Sequence, residues 1–244
     1  MRPVCTLAAA AAIVGALGAQ SRTNVDPDEL YRHREDLSSA ARAADLWAQR
    51  SDVDAEAAWK LARACYWLGT HQPEQMRRST LERGVKAGES AIRLAGQRPE
   101  GHFWLAANMG RLAESFGIVQ ALKYRGRIKD ELERVLAIDP AWQGGSADEA
   151  LGEWYATVPR LFGGSRKKGE EHLRRALGYD ANNLPALLFL GEMMASDGKT
   201  DDARTLLRRA IDAPFDAEWA PEDRESKQRA AALLKKLGAS RPSD

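Results

Sequence analysis

The stretch PRLFGGSRKKG, Pro159 to Gly169, holds residue types that could bind an anion: two glycines, a serine and three consecutive cations. Backbone N–H groups at a helix N-terminus hold phosphate or carboxylate where glycines let the ligand come close. Two catalytic versions of such a loop can be checked letter by letter. A nucleophile elbow needs G-x-S-x-G, and Lys167 stands at the last glycine. A nucleotide loop needs a strand before it, and no strand pattern precedes this one. Gly198-Lys199-Thr200 resembles the end of a phosphate loop, but Met193 occupies the place of its first glycine. His33, His71, His102 and His172 are scattered and form neither H-x-x-x-H nor H-E-x-x-H, so a metal site is not expected. The chemistry-bearing residues therefore point away from an enzyme, and no catalytic residue, metal or cofactor is expected. Pro159, Gly163 and Gly164 read instead as a structural turn. Pro159 ends one helix, the glycines accept positive φ, and Ser165 caps the next helix.

The elements that would position such a turn are helices. The 244 residues are 44% hydrophobic and 29% charged, enough apolar content for a sizeable core. DPDEL opens the first helix, with Asp26 as N-cap, Pro27 at the first helical position and Glu29 as the returning carboxylate of a capping box. Beyond it no segment alternates apolar and polar residues over strand lengths.

Internal self-similarity sets the architecture. SAIRLAGQRPEG, RVLAIDPAWQGG, RALGYDANNLPA and RAIDAPFDAEWA each close a helix and enter a turn. Their anchors Ala91, Val135, Ala176 and Ala210 fall at intervals of 44, 41 and 34 residues, the last being the tetratricopeptide (TPR) period. Leu187, Leu190, Gly191 and Met194 fit the first helix of a TPR unit. Ala203, Leu206, Leu207, Ala210 and Ile211 form one apolar face of the second. Gly152, Tyr155, Leu173 and Ala176 repeat this with five extra residues between the helices. Leu105, Ala106, Met109, Ile128, Leu132 and Val135 repeat it with ten. Trp59, Ala62, Tyr66 and Ala91 make a looser first unit. The reading is all-α: helical-hairpin repeats in a TPR-like solenoid over residues 26–214. A C-terminal capping helix and tail follow over residues 215–244, with Ala230, Leu234 and Leu237 inward and Gly238 as its stop.

Residues 1–19 read as a signal peptide. Arg2 precedes an apolar run from Val4 to Leu17, too short to span a bilayer comfortably, and small residues follow it. Cys5 lies ahead of the run and not behind it, so there is no lipobox. Removal of the segment would take Arg2, bringing the 36 basic residues level with the 35 acidic ones. Bulk charge then attracts no nucleic acid. Removal would leave Cys65 alone, in a helical stretch, as a small buried side chain.

Aromatics gather in the two enlarged repeats. Those outside repeat signature positions, Trp104, Phe116, Tyr124 and Phe162, are candidates to line a ligand cleft on the concave face, with Lys123 or Arg125 to meet a carboxylate.

The residues from Glu114 to Asp180 resemble the T component of tripartite ATP-independent periplasmic (TRAP) transporters, the TatT family. The resemblance rests on the basic helix before Ile138-Asp139-Pro140, on Gly144-Gly145, on Leu151 to Tyr155, on the PRLFGG element and on the HLRRAL helix. The same stretch is similar to the eukaryotic regulators of microtubule dynamics, a related TPR-like family. The TRAP resemblance implies a periplasmic accessory of transport. It would pair with a periplasmic solute-binding (P) subunit, form homo-trimers and bind a small apolar or organic-acid ligand. A generic periplasmic TPR adaptor is the alternative.

Overall fold

Asp26, Asp36 and Asp54 each stand one residue ahead of a helix. Each accepts the backbone N–H two residues on, at 2.9, 3.0 and 2.9 Å. Asn183 caps a later helix by accepting the N–H three residues on, and Ser165 does so more weakly. Each such cap is worth about 1 kcal/mol. Pro27 and Pro99 open their helices, where a missing N–H costs nothing. Glu29 does not return to its cap as expected. It lies one turn from Arg32 and His33 and pairs with them instead.

The computed structural model describes residues 25–239; the expected signal peptide lies outside them. The described residues form α1 (Pro27–Arg32), α2 (Leu37–Ala48), α3 (Ala55–His71), α4 (Glu74–Ala95), α5 (Pro99–Ser115), α6 (Ile118–Ile138), α7 (Ser146–Thr157), α8 (Arg166–Tyr179), α9 (Leu184–Ser196), α10 (Thr200–Asp212) and α11 (Ala220–Ala239). Single 3-10 turns at Trp142–Gly144 and Arg160–Phe162 interrupt the connections, and no strand is present among the described residues. None of these helices is long and apolar enough to cross a membrane.

Helices α3 to α10 pair in order as four hairpins, α3 with α4 through α9 with α10. The fold is the all-α helical-hairpin repeat that the spacing predicts. Two glycines show why the letters work. A Cβ at Gly152 would lie 2.6 Å from Leu173 Cγ, and one at Gly191 would lie 3.0 Å from Leu207 Cδ2. Only a bare backbone lets the paired helices approach this closely. The core runs on through three adjoining clusters: Tyr31, Trp47 and Leu61 at the N-terminal end, Leu105, Met109 and Leu151 in the middle, and Leu173, Leu187 and Leu207 at the C-terminal end. Cys65 is buried, and burial pushes its thiol up to about 12, an inert side chain. Gly238 is no stop, since α11 runs to Ala239.

The PRLFGG turn differs in detail from its sequence reading. Helix α7 ends at Thr157, before Pro159, and Pro159 starts the 3-10 turn. Gly163 has φ +100° as expected, whereas Gly164 is absent from the positive-φ residues. Its requirement is space: a Cβ there would stand 1.6 Å from the Val158 carbonyl oxygen. Gly164→Ala should therefore cost more than Gly163→Ala, about 2 kcal/mol or more against about 1, because a backbone clash cannot relax as a dihedral can. Ser165→Ala should cost less than a full cap, since its bond to the Lys168 N–H is 3.4 Å long. Chemical denaturation of the three variants measures the order, and equal losses at both glycines would refute it.

Candidate functional site

The first helices of successive hairpins pack on one another: α3 on α5, α7 on α9. They make the inner wall of the superhelix. Tyr66 of α3 lies 5.7 Å, ring to ring, from Trp104 of α5. Around the Tyr66 phenol stand Arg111, Glu114, Glu149 and Glu153, and burial pushes its pKa up. Glu149 and Glu153 sit one turn apart on α7. Neither carboxyl accepts a hydrogen bond or forms an ion pair within the described residues. Both residues are half-buried, and neighbouring side chains crowd their carboxyls. Burial, then repulsion from Glu153, pushes Glu149 up to about 8. Burial, then repulsion from Glu114, pushes Glu153 up to about 7.

Helix α11 closes this wall. It packs on α9 and α10, while the residues at its start reach back to the first helices. Arg63 donates to Glu218 at 2.7 Å. Arg34 Nε donates to Glu222 at 2.9 Å, and its Nη2 donates to the Glu218 carbonyl at 2.6 Å. His71 meets Glu225 at 2.8 Å, and Arg224 pairs with Glu35. Trp219 stacks on Trp104 with ring centroids 6.2 Å apart. Arg34 and Arg63 both lie over the Tyr31 ring, at 5.0 and 4.5 Å, with side chains only 3% and 6% exposed. At the far side Arg229 of α11 holds Glu192 of α9 at 2.7 Å. A cavity of about 230 Å³ opens there, lined by Glu153, Phe189, Glu192, Met193 and Arg229.

This arrangement can bind but has little to react with. Raised carboxyls resemble general acids, yet the histidines are engaged elsewhere. His102 contacts Glu131 at 2.6 Å, His172 contacts Asp148 at 2.6 Å, and His71 belongs to the closure. Among the described residues no group of three acidic, histidine or cysteine side chains could hold a metal. What Glu149 and Glu153 can do is take up protons or receive a cationic group.

The six residues nominated for a cleft divide between two places. Trp104 stands apart, 4% exposed on the inner wall between Tyr66, Phe103 and Trp219. Phe116 and Tyr124 pack partly buried on the middle core. The Lys123 ammonium lies 4.7 Å from the Tyr124 ring, and the Arg125 guanidinium 5.2 Å from the Phe162 ring. These five share the edge where hairpins turn, away from the 230 Å³ cavity. Sequence reasoning passed over Glu149, Glu153, Arg34 and Arg63. The two glutamates look like an ordinary solvated helix face. The arginines become visible only through partners more than 150 positions away.

The profile of the family described as RMD1-3, Regulator of microtubule dynamics protein 1-3, matches residues 26–238. The chain belongs to that family. A Caenorhabditis elegans protein named Regulator of microtubule dynamics protein 1 is 23% identical over 220 residues, covering 80% of this chain and 93% of that protein. Among solved structures, a thermophilic TPR protein from Thermus thermophilus superposes with a TM-score of 0.64 at 20% identity, over 86% of this chain and 97% of its own. MamA matches with a TM-score of 0.49 at 16% identity, over 84% of this chain and 98% of its own. These findings correct the TRAP assignment. The helical features that resemble the TatT component occur here in a chain of the regulator family. The transport role, the solute-binding (P) subunit, the homo-trimer and the small apolar ligand fall with that assignment. So do the periplasmic location and the periplasmic adaptor alternative, for the matched relative is an animal protein.

Arg34→Ala should cost about 3–5 kcal/mol, because it strands a carboxylate and a carbonyl in the closure. Arg224→Ala, whose pair with Glu35 is half-exposed, should cost under about 1 kcal/mol. Denaturant melts compare the two, and similar losses would dismiss a special role for Arg34. The carboxyls of the inner wall add a dependence on pH. Glu149 and Glu153 titrate above the unfolded carboxylate range, so between about pH 5 and 8 the folded chain holds protons the unfolded chain has released. Stability must fall as pH rises through that window. Glu149→Gln with Glu153→Gln should flatten the decline and raise stability at about pH 8 by about 1 kcal/mol or more. A double variant with the wild-type pH profile would count against seclusion of these carboxyls.

Proposed function

We propose that the chain is a non-enzymatic adaptor that holds a segment of a partner protein along its inner wall, in the regulation of microtubule dynamics. One observation carries the binding part: Glu149 and Glu153 lie half-buried on that wall, and their carboxyls form no ion pair or hydrogen bond among the described residues. A lysine or arginine reaching between them would find two carboxylates and the aromatic surface of Tyr66 and Trp104. The desolvation that disfavours these charges in the free protein would then strengthen their attraction for the incoming cation. The microtubule part is supported by family membership and by the name of the animal relative.

The test is co-sedimentation of the purified chain with polymerised tubulin, alone and in the presence of a cell extract. The wild type should enter the pellet in at least one condition. Glu149→Gln with Glu153→Gln should reduce the pelleted fraction about tenfold, the effect of losing one or two secluded charge pairs. Failure to pellet in both conditions would overturn the microtubule assignment. Pelleting equal to that of the wild type by the double variant would overturn the inner wall as the binding face.

A further inference from the structure

The edge of the solenoid where the second helix of each hairpin begins exposes large apolar side chains that the fold does not use. Met76 near the start of α4 is 51% exposed, Val119 and Leu122 at the start of α6 are 75% and 43%, and Leu161 in the PRLFGG turn is 87%. Two contacts tie these points into one edge. Arg78, two residues after Met76, lies 4.3 Å from the ring of Phe116, which stands just ahead of α6. Arg125, one turn beyond Leu122, lies 5.2 Å from the ring of Phe162, the neighbour of Leu161. Val119 and Leu122 are three apart on one helix and so share a face.

The PRLFGG turn is not loose. Gly164 N–H donates to the Pro159 carbonyl at 3.2 Å and Ser165 N–H to the Tyr155 carbonyl at 2.8 Å. A turn held this way presents Leu161 to solvent by its backbone geometry, and not through failure to fold.

The charge along the same edge is mostly basic. Residues 73–80, 117–129 and 158–168 contain ten arginines and lysines and one acid, Glu74, and five of those cations, Arg78, Arg127, Lys129, Arg166 and Lys167, pair with acids beyond these stretches. Lys123, Arg125 and Arg160 have no carboxylate partner among the described residues. Apolar tips that project singly, between unpaired cations, form no groove for a peptide. They match a lipid surface, where side chains enter the acyl boundary and cations stay at the headgroups.

We propose that this edge docks on an anionic membrane surface, with Leu161, Val119 and Leu122 inserted and Lys123, Arg125 and Arg160 at the headgroups. The inference concerns the outside of the solenoid and does not rest on the inner-wall reading. Vesicle flotation tests it, using phosphatidylcholine alone against phosphatidylcholine and phosphatidylserine in equal parts. The wild type should float with the anionic vesicles and not with the neutral ones, and added salt should weaken the binding. Lys123→Glu with Arg160→Glu should weaken it at least about tenfold. Val119→Gln with Leu161→Gln should weaken it several-fold. These exposed positions should leave the melting temperature unchanged, which a thermal scan checks. No flotation with anionic vesicles overturns the proposal. So does loss with the charge variant but not with the apolar one, which would mean adsorption without insertion. Binding to a polyglutamate peptide in place of vesicles would also overturn it, in favour of an acidic protein.

Discussion

Arg34 and Arg63 hold the two ends of the chain together through the ring of Tyr31. Their guanidinium groups are almost wholly buried, so each needs every hydrogen bond it can find. Glu218, Glu222 and the Glu218 carbonyl supply most of those bonds from the far end of the sequence, though Arg63 Nε stays without one. The clasp is the deepest of the ties that join α11 to the first helices, beside the outer pairs of His71 with Glu225 and Arg224 with Glu35. It sets how α11 lies along the wall formed by Tyr66, Trp104, Glu149 and Glu153. The raised carboxyl pKa values of Glu149 and Glu153 follow from the crowding of that wall.

The clasp is ionic and sits in a poor dielectric environment, and this has an energetic cost. Burial holds Glu222 above the ordinary carboxylate range even though Arg34 opposes the shift. A well-packed apolar contact would stabilise the chain as well or better. What the charges add is direction, since a bidentate arginine fixes where α11 lies along the wall. The Trp219–Trp104 stack then seats that placement against the core.

Much of the fold was legible in local letters. Gly191 and Gly152, with the leucines that face them, reveal the hairpins because close helix approach demands a residue without Cβ. Ser165 and Asp26 reveal helix starts because a cap works over two or three residues. The clasp was not legible, because periodicity carries no information on which residues, far apart in sequence, will meet. Glu149 and Glu153 were passed over for a related reason: i,i+4 acidic spacing is what a solvated helix face looks like, and only the packing of distant helices crowds it. Phe116, Tyr124 and Phe162 do not occupy the repeat signature positions. Their shared edge depends on how successive hairpins stack, which no single repeat encodes. Gly164 shows the limit at the smallest scale, a glycine kept for the volume of one carbonyl oxygen and not for its dihedral.

A solenoid of hairpins can fold as it is synthesised, each unit docking on the one before. This chain cannot finish that way. The residues that neutralise Arg34 and Arg63, Glu218 and Glu222, leave the ribosome after every hairpin has been made. Until then the nascent protein has an open inner wall and two uncompensated cations at its base. The last step of its biogenesis is therefore also the step that completes its inner wall. A chain cut short before Glu218 would carry every hairpin and still lack its finished inner wall.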